Sequence, residues 1–210
     1  MSFFISFEGI EGCGKSTQIE LLAKSLESAG KSCIQTREPG ATSIGAQIRS
    51  VLLKRENTSI VPLAELLLYA ADRAQHCEEL IRPSLQNNKI VLCDRFFDST
   101  TAYQTGGRQI DASLVENINR LATQGLKPDL TFLLDLPVEE GLKRARRRAA
   151  EQQDSEDRFE REKLAFHERV RAKYLEIASH EPDRFVKIDA QQSIQEVQNE
   201  IQKALKVLLT

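Results

Sequence analysis

A glycine-rich turn close to the N-terminus carries the residues best suited to binding an anion. Residues 9–16, GIEGCGKS, match the spacing G-x-x-x-x-G-K-[ST] and lie between an apolar run, FFISF (3–7), and a helical pattern. In such a loop the glycines let several backbone N–H groups, and the N-terminus of the following helix, face one phosphate. We expect nucleotide phosphates to contact the whole loop: Gly9, Ile10, Glu11, Gly12, Cys13, Gly14, Lys15, Ser16 and Thr17.

Two side chains of this loop have separate predicted roles. Lys15 supplies a point charge for the β and γ phosphates, and the Ser16 hydroxyl is suited to holding Mg²⁺. A second metal-binding carboxylate is expected at the end of another strand, and Asp94 after KIVLC fits that position. Asp135 after LTFLL fits the same pattern, but Arg95 beside Asp94 favours Asp94, because a phosphate site needs cations.

The sequence lacks a guanine-binding motif, which narrows the class of nucleotide-binding protein. The Asn88-Lys89 pair is followed by Ile-Val and does not continue as N-K-x-D. Motor proteins usually need a longer chain or a partner assembly. Phosphoryl transfer to a small molecule is therefore favoured, and it requires an anion-binding acceptor site and a lid that excludes water.

Short apolar runs alternate with helical patterns along the chain. Strands are predicted at 3–7, 32–36, 89–94, 130–136 and 184–189. Helices are predicted at 15–29, 43–54, 61–86, 111–124, 137–150, 159–180 and 193–209. Strands that are apolar nearly throughout are typical of a parallel sheet covered on both faces. We predict an α/β, doubly wound fold with a five-stranded parallel sheet and helices on both faces, as one domain over residues 1–210.

Composition places the chain among ordinary globular proteins. It has 210 residues, a net charge of −2 and 40% hydrophobic residues, so no basic field predicts a nucleic-acid partner. No apolar stretch approaches the ~20 residues that span a bilayer, and the N-terminus lacks the features of a signal peptide. The four cysteines form no C-x-x-C pair. We expect a cytoplasmic chain with reduced thiols and no membrane contact.

Four further segments follow the loop at a specific spacing. They are TREPGAT (36–42), LLYAADRAQH (67–76), DRFFDSTTAYQ (94–104) and RARRRAAEQQDSEDRFE (144–160). With the loop, their order and spacing resemble those of the bacterial thymidylate kinases (dTMP kinases) over residues 3–189. The resemblance implies a P-loop nucleotide kinase fold with a small lid at about residues 144–160.

The resemblance also implies a dTMP site. Its substrate-binding residues would be Glu38, Pro39, Arg49, Tyr69, Arg73, Arg95, Thr100, Tyr103 and Gln104. Tyr69 would stack on thymine, Arg73 would donate to a thymine carbonyl oxygen, and Thr100 and Gln104 would lie at base-contacting positions. Arg95 and Arg49 would hold the dTMP phosphate, and Tyr103 would crowd a ribose 2′-OH.

This chain departs from the resembled family at two aromatic positions. Tyr69 replaces the Phe of many members, and Phe96 replaces the commoner Tyr or His after Asp-Arg. On a helix, Tyr69 and Arg73 are spaced i, i+4 and share one face. Without the resemblance, Tyr69 would be read as a core aromatic and Arg73 as a surface ion-pair partner of Asp72 or Glu65.

The lid segment is rich in arginine, which suits stabilisation of a phosphoryl-transfer transition state. The resembled family has its catalytic arginine either in the phosphate-binding loop or in the lid, and Glu11 takes the loop position here. We therefore expect the lid-arginine type, with Arg158 as the favoured catalytic arginine and Arg148 and Arg161 as the alternatives. An anion in the loop needs a cation, so we expect Glu11 to pair with Arg158 on closure.

The implied reaction is Mg²⁺-dependent transfer of the ATP γ-phosphate to dTMP, with Lys15, Arg95, Arg158 and Glu11 as catalytic residues. The resemblance also implies a homodimer, formed partly through the helix that includes residues 61–80. Two alternatives stay open: a deoxynucleoside kinase of the same fold, and a non-catalytic nucleotide-binding switch. The three histidines, His76, His167 and His180, show no metal-binding spacing and receive no catalytic role.

Overall fold

The computed structural model describes residues 2–152 and 158–209. One sheet of parallel strands contains β1 (Phe4–Glu8), β2 (Cys33–Arg37), β3 (Ile90–Asp94), β4 (Leu130–Asp135) and β5 (Phe185–Asp189). The strand order is β2-β3-β1-β4-β5, and each neighbouring pair is parallel. The predicted α/β class and five-stranded parallel sheet are confirmed, and every strand bound lies within one residue of its prediction.

Helices connect the strands and cover the sheet. They are α1 (Lys15–Ser28), α2 (Ser43–Leu53), α3 (Pro62–His76), α4 (Arg82–Gln86), α5 (Phe97–Thr100), α6 (Ala112–Thr123), α7 (Val138–Gln152), α8 (Leu164–His180) and α9 (Ile194–Leu209). Side-chain caps fix two helix starts: Thr42 Oγ1 accepts from Gly45 N at 2.9 Å, and Asp111 Oδ1 accepts from Leu114 N at 3.0 Å.

Alternating side chains of the central strands enter two apolar clusters. Ile5 and Phe7 of β1 pack in the same cluster as Ile19 and Leu22 of α1. Phe4 of β1 belongs instead to the second cluster, which also contains the buried Cys77, Ile81, Val91, Cys93 and Phe96. The central strands β1, β3 and β4 are therefore buried on both faces, which explains why their sequences are apolar nearly throughout. The edge strands β2 and β5 are partly exposed and more polar.

Helix 61–86 was predicted as one uniform helix, and the structure corrects this. A π-helical turn, Cys77–Ile81, separates α3 from α4. Pro83 explains the change, because proline has no N–H to donate and its ring crowds the carbonyl four residues earlier. The chain keeps its helical course by widening just before the proline.

Two other helical predictions also need correction. The helix at 97–107 was not predicted; α5 begins it and a second π-helical turn, Thr101–Gly107, extends it. The predicted helix 159–180 is divided into a 3₁₀ turn, Phe159–Arg161, and α8, with extended backbone at Glu162 between them. Residues 153–157 of the predicted lid lie outside the described residues.

The parallel register places three strand ends at one edge of the sheet. Phe7 of β1 is opposite Asp94 of β3, and Glu8 is opposite Leu133 of β4. The glycine-rich loop after β1 and the Asp94-Arg95 turn after β3 therefore lie side by side, where ligands of such sheets bind. Within the described residues, no helix is both long and apolar enough to cross a membrane.

Candidate active site

The loop between β1 and α1 requires glycine at two of its positions. Gly9 has φ +137°, and a Cβ there would lie 2.5 Å from the Leu134 carbonyl oxygen. Gly12 has φ +73°, and a Cβ there would lie 2.2 Å from the carbonyl oxygen of Gly141. Backbone conformation and close approach to neighbouring segments therefore both exclude side chains, and the loop wraps tightly over the sheet edge.

Lys15 and Ser16 lie at the start of α1 with defined partners. The Lys15 ammonium donates to the carbonyl oxygens of Gly9 at 3.2 Å and Ile10 at 3.0 Å, and it lies 3.4 Å from Cys13 Sγ. Ser16 Oγ donates to Asp94 Oδ2 at 2.9 Å. The ammonium thus spans the loop that a phosphate would enter, and the hydroxyl and carboxylate converge beside it.

Ser16 and Asp94 form an oxygen donor pair that suits Mg²⁺. This cation prefers hard oxygen ligands and usually takes only one or two from the protein, with phosphate and water supplying the rest. The competing carboxylate, Asp135, is engaged elsewhere: its two oxygens accept from Arg171 Nε at 2.7 Å and Nη2 at 3.2 Å. The geometry therefore favours Asp94 over Asp135.

The cavity beside this pair is the donor cavity, of about 440 Å³. Six of the nine predicted loop residues line it: Glu11, Gly12, Gly14, Lys15, Ser16 and Thr17. Gly9 and Ile10 contribute the carbonyl oxygens that bind Lys15, and buried Cys13 lies beneath the loop. Of the nine residues predicted to contact phosphate, six therefore line the cavity and three lie behind the lining.

A second cavity, here called the acceptor cavity, has a volume of about 160 Å³. It is lined by every residue predicted for the monophosphate site: Glu38, Pro39, Arg49, Tyr69, Arg73, Arg95, Thr100, Tyr103 and Gln104. They come from the β2–α2 loop, α2, α3, the turn after β3 and the helix that begins at Phe97. The fold therefore brings together residues that are separated by up to 66 positions in the sequence.

Arg73 is a buried guanidinium with three hydrogen-bonded side-chain partners. Its Nε donates to Glu38 Oε2 at 2.9 Å, Nη1 to Asn119 Oδ1 at 3.0 Å and Nη2 to Thr100 Oγ1 at 2.9 Å. Glu38 also contacts His76 Nδ1 at 2.9 Å. The alternative of a surface ion pair with Asp72 or Glu65 is wrong, because Arg73 is only 1% exposed and pairs with Glu38.

Aromatic rings form much of the acceptor cavity wall. Tyr69 is half-buried: it packs against the main apolar cluster, as the core-aromatic reading expects, and it also lines the cavity. The Phe159 ring lies 6.4 Å from that of Tyr69 and 5.5 Å from that of Tyr103, measured between centroids. Such a pocket suits a flat, apolar-faced ligand such as a nucleobase.

Arg95 links the two cavities. Its backbone has φ +70°, which turns the chain sharply after β3. Nη1 donates to Gly9 O at 3.0 Å and to the hydroxyls of Ser99 at 3.0 Å and Tyr174 at 3.1 Å. Nη2 lies 3.3 Å from Glu11 Oε1. Hydrogen bonds to the loop carbonyl and to two hydroxyls, with the ion pair to Glu11, thus orient the guanidinium.

Glu11 is neutralised from within this network. Arg95 pairs with its Oε1, the Tyr103 hydroxyl donates to the same atom, and His167 Nδ1 lies 3.5 Å from Oε2. Burial raises the pKa of Glu11, but His167, Arg95 and Tyr103 together hold it well below its usual range. In this structure Glu11 pairs with Arg95 and Arg158 pairs with Glu65. The expected pair between Glu11 and Arg158 on lid closure stays a prediction.

Glu8 supports Arg95 from below. This carboxylate is fully buried at the end of β1 and accepts from Phe96 N at 2.7 Å, Ser99 Oγ at 2.6 Å and Tyr174 OH at 3.0 Å. Burial, with the charge of Asp98, raises its pKa to about 7. Ser99 and Tyr174 in turn contact Arg95. Glu8, Ser99 and Tyr174 therefore support the site from beneath, and the sequence analysis missed them because they form no local motif.

Five residues line both cavities and define the boundary between them. Three are arginines and two are carboxylates: Arg49, Arg95, Arg148, Glu11 and Glu38. Two anionic groups that approached from opposite sides would meet among these arginines. This arrangement suits transfer of a phosphoryl group from a donor to an acceptor phosphate.

The lid arginines occupy different places. Arg158 is 9% exposed, donates to Glu65 Oε2 at 2.6 Å and to Leu52 O at 2.5 Å, and does not line either cavity. Arg148, named as an alternative, lines both cavities and lies 3.6 Å from Glu160. The other alternative, Arg161, lines neither cavity.

A third cavity extends the donor side and was missed from the sequence. It has a volume of about 280 Å³ and continues from Gly12, Gly14 and Thr17 to Arg144, Arg148, Ala190, Gln192 and Ile194. The signal that could have found it is positional: Ala190 and Gln192 directly follow β5 at the carboxyl edge of the sheet.

The glycine-rich loop, the doubly wound parallel sheet and an arginine-lined cavity beside the loop are the features of a P-loop kinase that acts on a small phosphorylated acceptor. The family model described as thymidylate kinase matches residues 7–201. The chain belongs to the thymidylate kinase family.

Individual relatives agree with this assignment. The chain is 60% identical over 188 residues to a thymidylate kinase of Trichlorobacter lovleyi, which covers 89% of each chain. It is 52% identical over 196 residues to that of Geobacter sulfurreducens, covering 93% of this chain and 92% of the relative. The crystal structure of thymidylate kinase from Ehrlichia chaffeensis superimposes with a TM-score of 0.76 at 36% identity, covering 97% and 98% of the two chains.

Proposed function

We infer that this protein transfers the γ-phosphoryl group of ATP to dTMP and releases dTDP and ADP. The observation that carries the inference is the boundary between the donor and acceptor cavities, where Arg49, Arg95 and Arg148 line both cavities. Membership of the thymidylate kinase family identifies the acceptor as a thymidine monophosphate. The rest of the proposal assigns roles to this chain's own residues.

On the donor side, backbone N–H groups of residues 9–17 hold the phosphates of ATP. Lys15 moves from its loop carbonyl partners to the β and γ phosphates, a short change because all of these atoms line one turn. The adenosine portion lies in the third cavity, between Arg144 and the residues that follow β5. That cavity is contiguous with the loop at Gly12, Gly14 and Thr17, as one extended ligand requires.

Ser16 and Asp94 would hold Mg²⁺. When bound, the cation neutralises the developing charge on the β and γ phosphate oxygens. The donor pair fits this role by ligand chemistry and by its position in the donor cavity.

On the acceptor side, Tyr69 stacks on thymine and Arg73 donates to a carbonyl oxygen of the base. Arg49 and Arg95 hold the dTMP phosphate in place. An oxygen of that phosphate attacks the γ-phosphorus in line, a new P–O bond forms, and the bond from γ-phosphorus to the bridging oxygen breaks. Because the attacking oxygen is already anionic, no general base is needed, and positioning together with charge neutralisation carries the rate.

We assign the lid's transition-state cation to Arg148 in preference to Arg158. Arg148 lines both cavities on an exposed helix face, whereas Arg158 is buried against Glu65 and Leu52. Arg158 then acts on the acceptor site indirectly. Its guanidinium carbon lies 4.5 Å from the centroid of the Phe159 ring and holds that ring against the cavity.

A coupled assay of ADP release against a panel of nucleoside monophosphates tests the proposed function. We expect dTMP to be the preferred acceptor, and preference for dAMP or dGMP would refute the pocket assignment. Thymidine in place of dTMP separates this function from a deoxynucleoside kinase, because only a monophosphate uses Arg49 and Arg95. ATP binding without any acceptor-dependent ADP release would indicate a nucleotide-binding switch.

We also propose that each chain is a single catalytic domain and that two chains form a homodimer in the cytoplasm. Large apolar side chains of α2 and α3 and the intervening loop are about half exposed or more, namely Ile44, Val51, Val61, Leu63 and Leu67. A second copy of the chain would cover them. Sedimentation equilibrium tests this assembly, and a monomer at micromolar concentration would contradict it. The location follows from the substrates, since ATP and deoxynucleotides are cytosolic metabolites.

A further inference from the structure

Glu65 of α3 is a buried carboxylate that receives four hydrogen bonds from three side chains. Gln104 Nε2 donates to Oε1 at 2.8 Å, and Arg108 donates from Nε to Oε1 at 3.0 Å and from Nη2 to Oε2 at 3.1 Å. Arg158 Nη2 completes the set at Oε2. Glu65 has 0% exposure, so this network lies behind the acceptor cavity and outside solvent.

The network determines which way the Gln104 amide points. An ionised carboxylate accepts hydrogen bonds and cannot donate them, so only the NH₂ group of Gln104 can face Glu65. Burial raises the pKa of Glu65, but Arg108, Gln104 and Arg158 outweigh burial and hold it below its usual value, which keeps the group ionised. The Gln104 carbonyl oxygen, Oε1, is therefore held on the opposite side of the amide.

That oxygen is a buried acceptor that needs a donor. Gln104 Oε1 has no hydrogen-bond partner within residues 2–152 and 158–209, although Gln104 lines the acceptor cavity. A buried carbonyl oxygen without a partner costs free energy, so a ligand that brings an N–H group to it gains affinity. The fixed amide therefore selects a base that carries a donor at its edge.

We propose that Glu65 is a specificity-determining positioning residue, which locks the Gln104 amide so that Oε1 accepts the N3–H of thymine. The inference rests on the proposed assignment of the acceptor cavity to dTMP. Thymine has a donor at N3 between two carbonyl acceptors, whereas cytosine has an acceptor at N3 and an amino group at C4. The locked amide presents Oε1 to position N3 of the base. With cytosine, two acceptors would face each other there, Gln104 Oε1 and the unprotonated N3.

Replacing Glu65 by glutamine releases the lock. A glutamine at position 65 can turn its own NH₂ group towards Gln104, and Gln104 can then rotate to present NH₂ to the ligand. Of the two carboxylate oxygens, Oε2 accepts two arginine hydrogen bonds, from Arg108 Nη2 and Arg158 Nη2, and Oε1 accepts one, from Arg108 Nε. Placing the new NH₂ group at the Oε1 position therefore loses only one arginine hydrogen bond, whereas placing it at the Oε2 position would lose two. The variant should therefore accept a base with an acceptor at N3 more readily than the wild-type enzyme does.

The experiment compares kcat/KM for dTMP and 5-methyl-dCMP, which differ only at N3 and C4 of the base. In Glu65→Gln the preference for dTMP should fall by about tenfold or more. The matched control is Glu162→Gln, since Glu162 accepts from Arg108 Nη1 at 2.6 Å without contacting Gln104. Its preference for dTMP should equal that of the wild-type enzyme.

A double-mutant cycle with Gln104→Ala separates the inference from the proposed function. If Gln104→Ala leaves KM for dTMP unchanged, the acceptor cavity itself is misassigned. If it raises KM but Glu65→Gln keeps the full wild-type preference, the lock is refuted while the dTMP site stands. In the Gln104→Ala background, Glu65→Gln should change the preference no further, and an equal change there would also overturn the inference.

Glu65→Asp provides a second variant if Glu65→Gln does not fold. Aspartate keeps the charge opposite Arg108 and Arg158 but is one methylene shorter, so it withdraws from Gln104. Its preference for dTMP should also fall, and an unaltered preference in a folded Glu65→Asp enzyme would refute the proposal.

Discussion

The donor loop and the acceptor cavity, both proposed to hold phosphate groups, are constructed in different ways. The donor loop uses backbone: Gly9 and Gly12 allow the turn, and Lys15 bonds to the loop's own carbonyl oxygens. The acceptor cavity uses side chains held by buried ion pairs, of which Arg73–Glu38 is an example. A backbone site is specified within a few consecutive residues, whereas a side-chain site depends on contacts between distant segments. Substitutions should therefore damage the two sites differently.

Lys15→Ala should have the largest effect on turnover. It removes the charge proposed to contact the β and γ phosphates, and loss of one such group typically costs about 10²–10³ in kcat. The fold should survive, because the loop retains its glycines. Steady-state kinetics at saturating ATP, together with thermal melting, measure both effects. Unchanged turnover would remove the basis for assigning the donor site to this loop.

Arg148→Ala should follow, with a loss in kcat of roughly 10²-fold, by analogy with arginines supplied in trans to phosphoryl transfer. Arg158→Ala should lower kcat less and raise KM for dTMP more, because Arg158 supports Phe159 at the acceptor cavity. Measuring kcat and both KM values for the two variants decides between them. The reverse ranking would restore Arg158 as the catalytic arginine expected from the sequence.

Arg73→Ala should affect both binding and stability, in contrast to Lys15→Ala. Loss of a charged donor to the base should raise KM for dTMP about ten- to a hundredfold, with little change in KM for ATP. The variant also leaves Glu38 buried with a lost partner, which costs about 3 kcal/mol and lowers Tm by roughly 6–12 °C in a chain of this size. If Arg73→Ala melts like the wild-type enzyme, the acceptor cavity is not held by its ion pairs.

The same contrast explains how much the sequence could predict. Strand bounds and the phosphate-binding loop were accessible because apolar runs and glycine spacing act locally. The residues of the acceptor cavity were identified through resemblance, since nothing local distinguishes Tyr69 from a core aromatic. The Glu11–Arg95 pair and the burial of Arg158 against Glu65 were not foreseen, because each depends on which distant segments pack together. The π-helical turn at Cys77–Ile81 could have been suspected from Pro83 alone.

Glu8→Gln should have the smallest effect on turnover, and its main effect should be on the pH dependence of stability. It tests whether the Glu8 carboxyl, beneath Arg95, is buried as the structure shows. The pKa of Glu8 is raised from 4.5 to about 7 by burial and by Asp98, so the folded chain binds this proton more tightly than the unfolded chain does. Its favourable contribution is complete below pH 4.5 and is lost as pH rises towards 7. Glutamine does not titrate. The free energy of unfolding of Glu8→Gln relative to wild type should therefore rise between pH 5 and pH 8, by on the order of 2–3 kcal/mol. Urea denaturation at several pH values measures this difference. Parallel pH profiles for the two proteins would show that Glu8 is ionised at the same pH in both states, and that Ser99 and Tyr174 hold Arg95 without a buried carboxyl that titrates near neutrality.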